Sequence, residues 1–124
     1  MSHLSKIELV IHDLASLKEA CKTLGIAFCE NQKSFIWYSG SGQCDHAIRV
    51  PGARYEIGIS KSGKDQYELL WDDYFSGGLV DKLGSNAGKL KQAYAVNKII
   101  KEARHKKYRI NQQSVDNGIQ LVLS

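Results

Sequence analysis

Several cations and one aromatic ring recur at helical spacing towards the C-terminal end of the chain. They are Lys91, Tyr94, Lys98, Lys101, Arg104 and Lys107. At about 100° per residue from Leu90, the first four fall within roughly 20° to 100°, while Arg104 lies at the edge of this patch and Lys107 extends the charge past the helix end. Lysine and arginine displace condensed counterions from phosphates, and an aromatic ring can stack on an unpaired base. The spacing therefore predicts a nucleic-acid-binding helix face.

The opposite side of this helix is predicted to face the core. It carries four apolar residues at roughly 220° to 300° on the same wheel, namely Ala93, Val96, Ile100 and Ala103. For Tyr94 taken alone, the favoured interpretation is a packing residue between the helix and a sheet, or a half-buried ring, over a surface on which a base stacks.

The basic face also has a simpler interpretation as a solvated surface. The helix macrodipole favours cations near a C-terminus, which accounts for Arg104, Lys106 and Lys107. It does not account for Lys89 and Lys91, which lie near the start of the predicted helix. Binding to a nucleic acid is the hypothesis that explains the whole set.

The charge of the chain is concentrated in the same segment. The net charge is +4 over 124 residues. Residues 82–109 contain nine Lys or Arg and only Glu102 against them, whereas residues 1–81 are mildly acidic. A local basic segment favours a polyanionic partner more strongly than the overall charge does.

Two other groups of residues could carry chemistry. Glu68, Asp72 and Asp73 could hold a divalent cation or act as acid and base, although adjacent aspartates at a strand end usually face solvent. We therefore expect no catalytic residue among them.

The cysteine and histidine residues contain zinc-ligand types but lack paired spacing. Cys29, Cys44 and His46, with Cys21 on a predicted helix, do not form a C-x-x-C motif. We expect no metal and no cofactor, and an enzyme with an unrecognised site stays the third hypothesis.

Most aromatic residues lie in predicted strands or at their ends. An open sheet face bearing aromatic side chains can bind single-stranded RNA. Core packing is the favoured interpretation here, because the aromatic signature of RNA-recognition modules is absent. Trp37 and Tyr38 point to opposite faces of a strand, so one of them is expected to face outward.

The pattern of the chain predicts an α+β fold in the order β-α-β-β-(β)-β-β-α-β-β. Alternating runs predict strands at 4–11, 54–60 and 66–71, with shorter strands at 26–29, 34–38, 44–50, 108–112 and 119–123. Residues 39–42 and 61–64 are predicted to be a loop and a turn, and Asn117-Gly118 a hairpin turn. Helices are expected from Asp13 or Ser16 to Leu24 and from about 89 to 106, with a short helical turn at 79–83. We expect a mostly antiparallel sheet of six to seven strands with the two main helices on one face.

The length suits a single domain spanning residues 1–124. No apolar run is long enough for a membrane span, and the N-terminus lacks the pattern of a signal peptide. The odd number of cysteines favours reduced thiols and a cytoplasmic location.

Several segments together resemble the uncharacterised family named after hypothetical chloroplast reading frame thirty-five, which has cyanobacterial, plastid and bacterial relatives. In chain order they are Met1 to Ser5 with Ile7, Asp13-Leu14 with Leu17, Ala20, Leu24 and Gly25, Tyr55-Glu56-Ile57-Gly58 with Tyr67-Glu68-Leu69, Gln92-x-Tyr94-Ala95-x-Asn97, and Asp116-Asn117-Gly118-Ile119. The resemblance implies the fold and a cytosolic location, and it implies no particular activity.

These observations favour a non-enzymatic domain that binds RNA or single-stranded nucleic acid with little sequence preference. The second hypothesis is an adaptor that docks on a protein partner. Self-association between an acidic and a basic surface is a further hypothesis.

Overall fold

The computed structural model describes residues 4–105, 110–115 and 118–123, with side chains described from 4 to 104. Within these residues the helices are α1 (Leu14–Leu24), α2 (Leu79–Leu83) and α3 (Gly88–His105). The strands are β1 (Leu4–Ile11), β2 (Ala27–Cys29), β3 (Ser34–Trp37), β4 (Gly40–Gln43), β5 (His46–Arg49), β6 (Glu56–Gly63), β7 (Gln66–Asp72), β8 (Ile110–Val115) and β9 (Gly118–Leu123). The protein is α+β, as predicted. None of the described helices is long and apolar enough to cross a membrane.

The centre of the fold is a five-stranded antiparallel sheet in the order β1-β7-β6-β5-β2. Because side chains alternate across a strand, one face of the β6–β7 hairpin presents Ile57 and Ile59 beside Leu69 and Trp71. All four are almost fully buried. This confirms the predicted hairpin and identifies the face that meets the helices.

Helix α1 begins and ends at the predicted residues because both of its ends are capped. The Asp13 carboxylate accepts hydrogen bonds from the Ser16 backbone N–H at 3.2 Å and from the Ser16 hydroxyl at 3.0 Å. Gly25 ends the helix with a φ of 70°, a conformation that glycine adopts without steric cost. Capping leaves Leu17, Ala20 and Cys21 free to pack into the core.

The other face of the sheet is covered by a separate hairpin, β3–β4. Phe35 is 1% exposed and lies over Gly58 and Gly42, where a Cβ would stand 2.4 Å and 2.8 Å from ring carbons. The prediction that residues 39–42 form a loop is wrong, since β4 pairs with β3 from Gly40 onwards. Gly40 and Gly42 suggest a loop, but Gly42 is required by the close approach of this ring and Gly40 by a φ of 118°.

The five strands of this sheet and the two of the β3–β4 hairpin together confirm the predicted six to seven mostly antiparallel strands, and in the described residues β8 and β9 pair with each other. Strand β6 continues to Gly63 instead of turning at residue 61. The strands predicted at 108–112 and 119–123 are present as β8 (Ile110–Val115) and β9 (Gly118–Leu123). The predicted hairpin turn begins at Asn117, which lies outside the described residues.

Candidate nucleic-acid interface

Helix α3 is rotated relative to the face predicted for it. Leu90, Ala93 and Tyr94 are buried at 0%, 7% and 4% exposure. The Tyr94 hydroxyl accepts a hydrogen bond from the His12 backbone N–H at 3.2 Å. Burying a tyrosine ring removes far more apolar area from water than burying alanines does, so the core side of the helix follows Leu90 and Tyr94.

The burial of Tyr94 corrects its predicted role. A ring enclosed between α3 and the end of β1 has no free face on which a base could stack. The alternative interpretation, that Tyr94 packs the helix against the sheet, is the one that agrees with its contacts.

Lys101 is paired with the cap of the other helix. Its ammonium lies 2.8 Å from the Asp13 carboxylate, and 58% of its side chain is exposed. Partial burial alone would raise the pKa of Asp13, but hydrogen bonds from Lys101 and Ser16 outweigh it and hold the pKa below its usual value of 3.8. Lys101 is thus accessible, although one carboxylate already balances its charge.

Arg104 and Lys101 lie on a cleft of about 320 Å³ between α1 and α3. The α1 side of the cleft includes Ser16 and Glu19, and the α3 side includes Ile100. Arg104 is exposed, and no carboxylate of the described residues lies within ion-pair distance of it. Arg104 therefore contributes to this cleft a positive charge that no ion pair balances within residues 4–104, and the Glu19 carboxylate lines the same cleft.

The cleft belongs to a longer groove that follows α3. Asn97 and Ile100 line both this cleft and the next one, which reaches Lys89. Lys89 in turn lines a third hollow together with Lys82. At a rise of about 1.5 Å per residue, α3 spans roughly 22 Å between Lys89 and Arg104. We call Lys82, Lys89, Lys101 and Arg104 the basic track.

The remaining predicted cations lie elsewhere. Lys91 and Lys98 are half-buried on the flank of α3 that lies beyond the buried Tyr94, at about 100° and 80° around the helix axis from Leu90. They line none of the three hollows of the groove. Lys107 lies outside the described residues. The structure therefore brings Lys101 and Arg104 to one cleft that Lys91 and Lys98 do not line, although Lys98 lies one helical turn from Lys101.

The segment from 79 to 104 carries six cations and two carboxylates, Asp81 and Glu102. Of the six cations, Lys101 alone forms an ion pair within the described residues. The acids elsewhere are more fully engaged: Glu30, Glu56 and Glu68 each pair with a cation. Unbalanced positive charge is thus a property of α2, α3 and their groove.

The comparisons with known proteins bear on the same region. A family model described as a protein of unknown function (DUF1257) matches residues 20–122. The chain belongs to this family. The match includes residues 20–24 at the end of α1 and all of α3, so the α3 side of the groove lies within the family domain, whereas Ala15, Ser16 and Glu19 on the α1 side lie before it. No curated protein matches the chain, and no solved structure does.

A cluster of aromatic rings is exposed at another part of the family domain. Tyr38 is 56% and Phe75 is 78% exposed. The Tyr74 ring lies between them, with centroids 5.8 Å from Tyr38 and 5.0 Å from Phe75. Sequence reasoning anticipated an outward Trp37 or Tyr38 but missed Phe75, which follows the strand pattern in a short 3₁₀ turn at Phe75–Gly77.

The acidic group predicted as an alternative site does not converge. Glu68 pairs with Lys6 at 3.0 Å, whereas Asp72 is fully buried and accepts backbone hydrogen bonds. Asp73 is exposed. Each carboxylate faces a different environment, so the three do not form one site.

The cysteine and histidine residues are engaged separately. Nδ1 of His46 accepts the Asn31 backbone N–H at 2.9 Å, and the Cys44 thiol donates to the Gln32 carbonyl at 3.2 Å. Burial raises the pKa of Cys21 to about 12, so at neutral pH its thiol stays protonated and does not form the reactive thiolate. Among the described residues, no group of three His, Cys, Asp or Glu side chains is arranged to hold a metal ion.

Proposed function

We propose that this domain binds RNA or another single-stranded nucleic acid, with little sequence preference, by placing phosphates along the basic track. The observation that carries the proposal is the continuity of the groove. Three hollows that share lining residues connect Lys82 and Lys89 to Lys101 and Arg104. A linear polyanion fits a linear array of cations better than a compact anion would.

The chemistry of the side chains accounts for the weak sequence preference. Ammonium groups contact phosphate oxygens as point charges and do not read base edges. The walls of the groove add apolar contacts from Val96 and Ile100, with Asn97 bridging to Thr23 at 3.5 Å. Such a surface favours affinity for the backbone over selection of bases.

In this proposal Lys91 and Lys98 attract the nucleic acid but do not contact its phosphates. They lie on the other flank of α3, so we assign them long-range attraction and not direct phosphate contact. Their effect is expected to be screened within about 10 Å at 0.1 M salt.

The cellular setting is part of the same proposal. All three cysteines are free thiols, which fits a reducing compartment such as the cytosol. We also propose that the chain is a member of the family of chloroplast reading frame thirty-five, because the residue segments quoted above resemble that family.

A titration at two salt concentrations tests the proposal. A fluorescently labelled 20-nucleotide single strand is titrated with the protein at 50 mM and 200 mM salt, and anisotropy gives the Kd. Four phosphate contacts predict a slope near −3 in log K against log salt, or roughly a fiftyfold loss of affinity across this range. Absence of binding at 50 mM salt, or binding that salt does not weaken, would contradict the proposal.

A further inference from the structure

The exposed aromatic cluster is held in place by a buried carboxylate. Asp72 is fully buried, and its two oxygens accept the backbone N–H groups of Tyr38 at 3.0 Å and Tyr74 at 2.9 Å. These two residues come from different segments, the end of β3 and the end of β7. The shared carboxylate therefore fixes the spacing of two residues, Tyr38 and Tyr74, that are 36 positions apart in the chain.

The rings present edges and faces to solvent instead of packing flat on each other. Tyr38 and Tyr74 meet at 71°, and Tyr74 and Phe75 at 47°. Ile36 lies on the same outward side of β3 as Tyr38 and is 50% exposed. Contiguous exposed apolar groups of this kind mark binding surfaces in soluble proteins.

The turn that carries Phe75 is linked to Lys82 of the basic track through the segment at residues 52–54. The carbonyl of Gly77, at the end of the turn that carries Phe75, accepts the backbone N–H of Arg54 at 2.8 Å. Two residues earlier, Gly52 lies beside the Lys82 side chain, where a Cβ would stand 3.2 Å from Cε of Lys82. Exposed Arg54 thus belongs to the segment that contacts both the turn carrying Phe75 and the first cation of the track.

We propose that Tyr38 and Phe75 stack on unpaired bases of the same strand whose phosphates follow the basic track. This inference rests on the proposed function and adds to it a second surface that contacts the bases, since only a strand with unpaired bases can use both surfaces. Rings beside cations match the composition of single-strand binding surfaces, in which aromatic groups meet bases and cations meet phosphates. Asp72 acts as the positioning residue for the rings.

The continuity of charge favours this occupant over a protein partner. A protein ligand would have to present an apolar group to the rings and a row of acids to Lys82, Lys89 and Arg104. A single strand offers both, with alternating bases and phosphates along its length.

The test compares two probes on the wild-type protein, a 20-nucleotide oligo-dT and an abasic strand of the same length. Both carry the same phosphates, and only the first carries bases. We expect the oligo-dT to bind about tenfold or more tightly at 50 mM salt, because each stacked base contributes to the affinity.

Variants localise the effect. Phe75→Ala should bring the Kd for oligo-dT towards that for the abasic strand and leave the abasic value unchanged. Ile99→Ala is the matched control, since Ile99 is an exposed apolar residue on α3 remote from the cluster in sequence. Phe75→Trp should retain the preference for oligo-dT.

The two proposals fail in different ways. Equal, salt-sensitive binding of both probes by the wild-type protein would overturn the stacking proposal and leave the basic track in place. Loss of oligo-dT preference in Ile99→Ala but not in Phe75→Ala would also overturn it. Absence of binding to either probe at 50 mM salt would overturn both.

Discussion

The ring of Phe35 lies against Gly58, so closely that a Cβ at this glycine would stand 2.4 Å from the ring. This contact fastens the β3–β4 hairpin to the face of the sheet opposite the helices. The same hairpin continues to Tyr38, and its backbone is held by Glu56 at Ile36 and by Asp72 at Tyr38. The position of one exposed aromatic ring thus depends on a glycine in the middle of β6.

Replacing Gly58 with alanine is expected to destabilise the fold by about 2 kcal/mol, as overpacking of a core typically does. The added methyl group must displace the Phe35 ring, which is itself buried. Urea denaturation monitored by tryptophan fluorescence gives the free energy of unfolding. Gly63→Ala is the control, because the nearest atom to its Cβ would be 3.7 Å away. Similar stabilities of the two variants would contradict this account of the hairpin.

Removing the Asp72 carboxylate is expected to cost more than removing its neighbour. Asp72→Ala leaves the backbone N–H groups of Tyr38 and Tyr74 without their acceptor, a loss of about 3 kcal/mol for two charge-assisted hydrogen bonds. Asp73→Ala removes an exposed carboxylate and should change the free energy of unfolding by less than about 0.5 kcal/mol. The comparison is made by urea denaturation at pH 7. A larger effect at Asp73 would refute the role assigned to Asp72.

The ion pair between Asp13 and Lys101 makes part of the stability pH-dependent. Because the pKa of Asp13 in the folded protein is below 3.8, its stabilising contribution is present above that value and is lost as the pH falls through the folded pKa. Asp13→Asn keeps a good helix cap but cannot ionise. We expect the wild type to be more stable than this variant by about 1 kcal/mol at pH 7.

The difference between wild type and Asp13→Asn should shrink as the pH is lowered below 3.8. Urea denaturation of both proteins across pH 3 to 7 measures it, and the subtraction removes the titration of carboxylates that the two proteins share. If the difference in free energy of unfolding between the two proteins stays constant over this range, the ion pair between Asp13 and Lys101 does not make the stability pH-dependent.

Local pattern predicted most of the fold. The caps of α1 and the alternation of β6 and β7 are determined by neighbouring residues, so the sequence indicates them directly. Strand β4 was not predicted because Gly40 and Gly42 resemble a loop, whereas Gly42 is the cross-strand partner of Phe35 and leaves room for its ring, which packs on Gly58 of β6. A contact between distant segments leaves no periodic pattern in the sequence.

The candidate site was predicted in part for a similar reason. The charge of α3 is visible in the sequence, but the rotation of the helix depends on how its largest side chains fill the core. Tyr94 was placed among the cations by spacing and was drawn inward by packing. The residues around Phe75 show neither strand alternation nor helical spacing, so its exposure is determined by the 3₁₀ turn at Phe75–Gly77 that follows β7.

The central claim is that phosphates follow the groove between α1 and α3 and not the opposite flank of α3. Two double variants with the same loss of charge distinguish these surfaces: Lys89→Gln with Arg104→Gln on the basic track, and Lys91→Gln with Lys98→Gln on the flank. Glutamine preserves helix propensity, so both proteins should fold. The measurement is the salt dependence of the Kd for a labelled 20-nucleotide single strand.

We predict that the track variant weakens binding and reduces the slope of log K against log salt by about 1.4, as expected for two lost phosphate contacts. The flank variant should change the slope little. An equal or larger loss in the flank variant, or no loss in the track variant, would contradict the account.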